Sequence, residues 1–135
     1  MTSLSAPTPK KRGQLKPEND LAPVLRGLMN ISLGKPLGRA IRILVDSGAS
    51  HTVIDEKLCR KLRVKKCPHT RYKVPGKGIV LASSKCKVYF ELPQLSPTMA
   101  IEKELVVLDD LSHKYDLILG MDLILELGLV IDGAE

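Results

Sequence analysis

Among the 135 residues, the group best placed to do chemistry is the carboxylate of Asp46, in Val45-Asp46-Ser47-Gly48-Ala49-Ser50. It follows directly on the apolar run Ala40-Ile41-Arg42-Ile43-Leu44-Val45 and opens a Ser-Gly-Ala turn. A strand that feeds a carboxylate into apolar surroundings loses solvation energy unless the group is hydrogen-bonded or shares a proton. The turn residues answer that need. Gly48 lets the backbone come close and supplies an amide near the carboxylate, and Ser47 offers a hydroxyl to brace it. Taken alone, Asp-Ser-Gly is also an ordinary turn. Two other constellations are set aside. Ser50-His51 suggests a nucleophile and its base, but adjacent residues on a strand point to opposite faces, and no G-x-S-x-G elbow exists. Cys59, Cys67, His69 and Cys86 match no usual zinc spacing, so the three cysteines read as free, partly buried thiols and no metal is expected.

Strands must hold that turn. Leu28 to Leu33 and Arg39 to Val45 flank Gly34-Lys35-Pro36-Leu37-Gly38, a Gly/Pro-rich turn, and so predict a hairpin. Asp55 to Leu62 reads as a short helix with an acidic start. Pro75-Gly76-Lys77-Gly78, between Tyr72-Lys73-Val74 and Ile79-Val80-Leu81, predicts a second hairpin. Lys87 to Leu92 and Ile101 to Leu108 give two more strands. Leu117-Ile118-Leu119 is a short apolar run before Gly120, residues 122–127 suit a short buried helix stopped by Gly128, and Leu129 to Ile131 reads as a terminal strand. The pattern is mostly β with one or two short helices, and no internal repeat is visible.

In this setting the Asp46 segment resembles the active-site signature of retropepsins, the aspartic proteases of retroviruses and LTR retrotransposons, which reads Asp-Thr/Ser-Gly-Ala after an apolar strand. The resemblance runs in order over about 105 residues, Leu28 to Asp132. The first hairpin is similar to the one before the family's catalytic turn, and Thr52-Val53-Ile54 to its next strand. Pro75-Gly76-Lys77-Gly78 falls where the family has its glycine-rich flap. Tyr115-Asp116-Leu117-Ile118-Leu119-Gly120-Met121-Asp122 is similar to the second signature, in wording nearest to the gypsy-type retrotransposon branch.

The resemblance implies a closed, barrel-like acid-protease fold that is active as a homodimer. A pepsin-sized enzyme carries two Asp-Thr/Ser-Gly motifs; this chain has one, and Asp109, Asp110, Asp116 and Asp122 lack that setting. Asp46 would therefore meet its mate on a two-fold axis. Ser47 would hydrogen-bond across the axis, Pro75, Gly76, Lys77 and Gly78 would close over substrate, and Leu119-Gly120 would pack behind the turn. Leu129 to Ile131 would join a dimer sheet, the alternative being a strand paired within the chain. No cofactor is implied. The substrate would be the parent polyprotein, cut between apolar residues. The family's frequent Asp and Arg ion pair is replaced by Ser50 and Met121, both partners together, which leaves no unpaired charge.

Composition sets the frame. Hydrophobic residues make up 44%, enough for a core, while aromatics are 3%, which makes that core aliphatic and argues against base-stacking platforms. The length fits one domain at residues 25–135, after a basic, Pro-containing tail or linker at 1–24. No apolar run reaches the roughly 18–20 residues of a membrane span, and the odd cysteine count without C-x-x-C suits a reducing compartment. A cytoplasmic or particle-associated setting is expected. Residues 1–78 carry 17 Lys/Arg against 5 Asp/Glu, and residues 79–135 carry 4 against 10. The basic segment 57–73 is either a solvated face or a phosphate-binding stripe for RNA. A catalytically silent dimeric module of the same fold, binding RNA or a protein partner, is the alternative function.

Overall fold

Along Val24–Ser32 (β2) the buried residues are Leu25, Gly27 and Met29, while Arg26 and Leu28 face out, the period of two of a half-buried strand. This computed structural model describes residues 14–15, 23–32, 35–74, 77–109, 111 and 114–131. In chain order the elements are Gln14–Leu15 (β1), β2, Lys35–Val45 (β3), Val53–Asp55 (β4), a single 3₁₀ turn at Glu56–Leu58, Val64–Val74 (β5), Gly78–Glu91 (β6), Ala100–Leu108 (β7), Leu117–Leu119 (β8), Met121–Glu126 (α1) and Val130–Ile131 (β9).

Seven strands form one sheet in the order β2-β3-β8-β4-β7-β6-β5, and β2 also pairs with β6 through Leu28–Glu91 and Met29–Phe90. That extra pairing folds the sheet back on itself into a closed, barrel-like body. β4 and β8 are buried at every position and lie mid-sheet, joined to β3 and β7 by parallel ladders. Strands buried on both faces have no polar side to alternate, so both read as short apolar runs. The interior is aliphatic apart from Phe90 and Tyr72, with Leu25, Met29, Ile41, Ile54 and Leu117 enclosed. A second cluster holds Ala49, Val53, Tyr72, Val74, Ala82, Val106 and Ile118, between the Asp46 turn and hairpin β5–β6.

Several boundaries differ from expectation. Lys35 to Gly38 belong to β3 rather than to a turn, with Ser32 opposite Lys35; residues 33–34 lie outside the described residues. Pro36 falls where the β2–β3 register shifts between Asn30 and Ser32, and β8 pairs only with Ile43 to Val45, so this end of β3 has a single neighbour and an interrupted ladder. The helix expected over Asp55 to Leu62 is one 3₁₀ turn. Only Leu58 and Cys59 are buried in the stretch 56–61, too few to give a longer helix an apolar face. The strands expected at 79–81 and 87–92 are one continuous β6. Ser83-Ser84-Lys85 reads as a break, yet Ser84 and Lys85 pair with β5 and Lys85 also with β7. The helix starts at Met121, one residue early. β9 begins at Val130 and pairs in parallel with β1 of the same chain, Gln14 opposite Val130. Two residues of the 1–24 stretch are thus in β1, and Val24 already starts β2.

Candidate active site

Asp46 is the first residue past β3, whose last three residues run parallel to β8. Its own N–H continues that ladder by donating to the Leu119 carbonyl at 3.0 Å. The turn then closes on itself: Ala49 N–H donates to the Asp46 carbonyl at 3.1 Å, and Gly48 N–H donates to Asp46 Oδ1 at 2.7 Å. A Cβ on Gly48 would sit 3.0 Å from that same oxygen. Asp46 is half-buried, and Oδ2 has no hydrogen-bond partner among the described residues. Ser47 is exposed, while Ala49 and Leu119 are buried. One carboxylate oxygen is thus fixed by an amide while the other remains available to a ligand or a second acid.

Gly120 holds the back of the turn. A Cβ there would lie 2.6 Å from the backbone carbon and oxygen of His51 and 2.8 Å from the Ala49 carbonyl, so only glycine fits. That contact lets Met121 N–H donate to the Ala49 carbonyl at 2.8 Å. Beside it lies a network that the sequence reading did not single out. Thr52 Oγ donates to Asp122 Oδ1 at 2.7 Å, Thr52 N–H donates to the same carboxylate at 3.0 Å, and Gly120 N–H donates to Thr52 Oγ at 3.0 Å. Ser50 and Met121 cannot form an ion pair between turn and helix; Thr52 and Asp122 make the tie instead. A carboxylate in the first turn of a helix was the available signal, but its partner is 70 residues away in sequence.

The other acids near the barrel are engaged as struts. Asp55 caps the 3₁₀ turn, accepting the Lys57 N–H at 3.0 Å and the Leu111 N–H at 3.3 Å. Asp116 accepts the Arg42 N–H at 2.9 Å.

Hairpin β5–β6 approaches the turn from the other side. Lys77 N–H donates to the Val74 carbonyl at 3.0 Å, and Gly78 has φ +72°, which favours glycine. Lys77 and Gly78 are exposed, and Pro75 and Gly76 lie outside the described residues. Tyr72 meets His51 edge-on, with ring centroids 5.0 Å apart, and Val74 is buried with Ala49 and Val53. The predicted turn and hairpin are therefore brought together, through His51 and Tyr72, neither of which was expected to take part.

Ser50 and His51 require a correction. They lie in a bend, not a strand, and His51 Nδ1 is 3.0 Å from Ser50 Oγ. Alternation of faces does not apply to a bend. Both residues are exposed, and among the described residues no carboxylate hydrogen-bonds the imidazole, so the pair has no third member of a hydrolase triad there. All three cysteines are free. Burial, reinforced by Cys86, raises the Cys59 thiol far above its ordinary range, and burial raises Cys86 as well, which keeps both thiols protonated. Among the described residues no group of three or more His, Cys, Asp or Glu is placed to hold a metal. A concavity of about 580 Å³ between the 56–62 segment and β6 contains none of the Asp46 turn.

A closed, mostly β barrel that presents one carboxylate from an Asp-Ser-Gly turn, backed by a glycine that no other residue could replace, is of the retropepsin-like class. The chain belongs to the aspartyl protease family, whose sequence profile matches residues 33–123. Its fold is similar to that of the EIAV protease complexed with the inhibitor HBY-793, at 18% identity and TM-score 0.54, covering 84% of this chain and 94% of that one. It is similar also to Lpg0085 of Legionella pneumophila, a protein of unknown function, at 14% identity and TM-score 0.50, covering 83% and 91%. The retroviral protease-like domain of Ddi1 from Leishmania major matches at 18% identity and TM-score 0.49, covering 78% and 77%. No curated protein sequence matches. Family and fold together give the chain a protease-like function.

Proposed function

We propose that the chain is an aspartic endopeptidase whose Asp46 works with Asp46 of a second copy. The observation that carries this reading is the unequal state of the acids. Asp55 and Asp122 each accept amide hydrogen bonds through both carboxylate oxygens, whereas Asp46, at the head of the Asp-Ser-Gly turn, is anchored through one and leaves the other unengaged. One chain supplies one such group, and peptide hydrolysis by carboxylates requires two. Two carboxylates held in contact share one proton, the established behaviour of aspartic-protease dyads. The ionised partner takes a proton from a bound water as its oxygen bonds to the scissile carbonyl carbon. The protonated partner gives its proton to the carbonyl oxygen. Collapse of the tetrahedral species breaks the C–N bond: the departing nitrogen takes a proton from one partner of the dyad, while a hydroxyl of the tetrahedral carbon gives its proton to the other and restores the shared-proton state. The titration belongs to the pair.

In this reading Ser47, exposed beside Asp46, bonds across the axis, and the 75–78 tip acts as a flap that excludes water. The aliphatic cluster of Ala49, Val53, Val74, Val106 and Ile118 favours apolar residues on either side of the cut. The two-stranded β1–β9 sheet keeps a free edge to which a second copy can add strands. The natural substrate is the element's own polyprotein, the source a gypsy-type retroelement, and the setting the cytoplasm or a virus-like particle. The test is cleavage of a peptide library at about pH 5 by wild type and Asp46→Asn. Cleavage by the wild type alone is expected; equal cleavage by both refutes the role of Asp46. The basic hairpin favours one other reading, a silent dimeric module that binds RNA or a protein partner, which predicts a folded dimer without cleavage.

A further inference from the structure

From Lys57 to Phe90 the sequence contains eleven Lys and Arg and no Asp or Glu, although the whole chain is only +6. The structure gathers this stretch into the 3₁₀ turn, the loop after it, and hairpin β5–β6. It also sorts the charges. Lys57 and Arg60 lie near Asp55 and Glu56, and Lys66 lines the concavity beside the 56–62 segment. The remaining cations of the two strands share one face, and Lys77 lies exposed in the turn that joins them. Lys65 lies directly opposite Lys85, Arg71 opposite Leu81, and Lys73 opposite Ile79. Residues 79, 81, 83, 85 and 87 alternate with the buried Ala82, Cys86 and Val88, so this face points away from the barrel.

Three features of that face are not explained by folding alone. Leu81 is 63% and Ile79 64% exposed, each directly across from a cation. Lys65 and Lys85 stand opposite each other, an unfavourable arrangement for like charges. The carboxyl that relieves them is Glu104, held below its usual range by Lys65 at 2.8 Å and further by Lys85 and Lys87. One carboxylate therefore serves three ammonium groups, with Glu102 reaching only Lys87. Arg71, Lys73 and Lys77 have no acidic partner among the described residues. β5 is also the last strand of the sheet order, so the cationic ribbon borders an open edge.

We propose that the outward face of hairpin β5–β6 binds single-stranded nucleic acid along its phosphate backbone, through Lys65, Arg71, Lys73, Lys77 and Lys85. Alternate residues on a strand are roughly 6.7 Å apart, giving a row of cations that suits a regularly charged polymer better than an irregular acidic protein surface. Ile79 and Leu81 supply apolar contact to sugars or bases between those cations. Tyr72 faces the barrel and cannot stack, and the half-buried Tyr89, beyond Lys87 on β6, donates its hydroxyl to Glu91, so phosphate contacts dominate and binding depends little on sequence. Apart from Lys77, which the protease reading places in the flap, this surface is separate from the Asp46 turn, and the proposal does not depend on that reading.

The test is fluorescence anisotropy with a short mixed-sequence RNA across a salt series. Wild type is compared with R71Q/K73Q/K77Q and with a control, K61Q/R63Q, which removes charge from the loop before β5. Each phosphate contact adds roughly 0.7 to the log–log salt slope for single strands, so the triple variant should lose about 2 while the control keeps the wild-type slope. D46N should bind as wild type does, which separates this result from loss of cleavage. Circular dichroism confirms that each variant retains its strands. Absence of salt-dependent binding by wild type, equal slope losses in variant and control, or competition by polyglutamate as effective as by RNA would each overturn the proposal.

Discussion

The glycine behind the turn and the threonine beside it carry the most structural information per atom. At Gly120 the obstruction is backbone on three sides, so Gly120→Ala has nothing flexible to push aside. It should cost about 2–4 kcal/mol and lower the melting temperature by roughly 10 °C. A thermal melt within error of wild type would show that the turn can retreat from the helix. Thr52→Val keeps the shape but removes the hydroxyl that accepts from Gly120 N–H and donates to Asp122. Stranding a buried amide costs about 1–3 kcal/mol, whereas Thr52→Ser keeps the bonds and should cost less than half as much. Equal denaturation midpoints for the two variants would assign the effect to the missing methyl instead. At this scale the sequence was readable where backbone geometry demands a particular residue, as at Gly48, Gly78 and Gly120. It was silent on Thr52 and Asp122, because neither residue is unusual for its local element and their partnership exists only after β4 and α1 have come together. His51 was misjudged for a related reason: a rule about strands was applied to a bend.

Among the elements, hairpin β5–β6 has a divided character. Its outer face is cationic, and its inner face packs with the Asp46 turn through Tyr72, Val74 and Ala82. Tyr72 is its largest anchor, 5% exposed and in ring contact with His51. Tyr72→Ala should cost on the order of 3 kcal/mol, concentrated in the hairpin rather than spread over the barrel. Amide hydrogen exchange should therefore quicken in 70–82 before it quickens in β3, β4 and β8. Uniform acceleration throughout the chain would mean that the hairpin does not open as a separate unit. The hairpin tip was legible from Pro75-Gly76-Lys77-Gly78, but its length was not. Ser83-Ser84-Lys85 looks like a connection, and long-range pairing on both sides makes it strand. The same override extends β3 back through Pro36, where local preference favours a turn.

For the whole molecule, the open question is how one half of a site becomes a site. If Asp46 works only with its mate, specific activity should fall as the protein is diluted below its dimer dissociation constant. Activity that persists in a sample shown by sedimentation to be monomeric would dispose of the shared dyad. The mostly β character was the most legible level of all, since short apolar runs separated by Gly and Pro signals read as strands, while the closed barrel followed from the family resemblance. The pairing order, with β8 inserted between β3 and β4, was not readable from any local pattern. That insertion brings the two ends of the Thr52–Gly120–Asp122 network together, and it has a consequence for how the chain can change over generations. Two side chains that share their hydrogen bonds, as Thr52 and Asp122 do, do not vary independently: once one is lost, the other has less left to lose. Drift at Thr52 would release Asp122 from constraint, and a return to the original threonine would help only while the aspartate remained. Lineages descending from this sequence should therefore keep or abandon Thr52 and Asp122 together, while Gly120, held by the backbone of His51 and Ala49, stays fixed in either case.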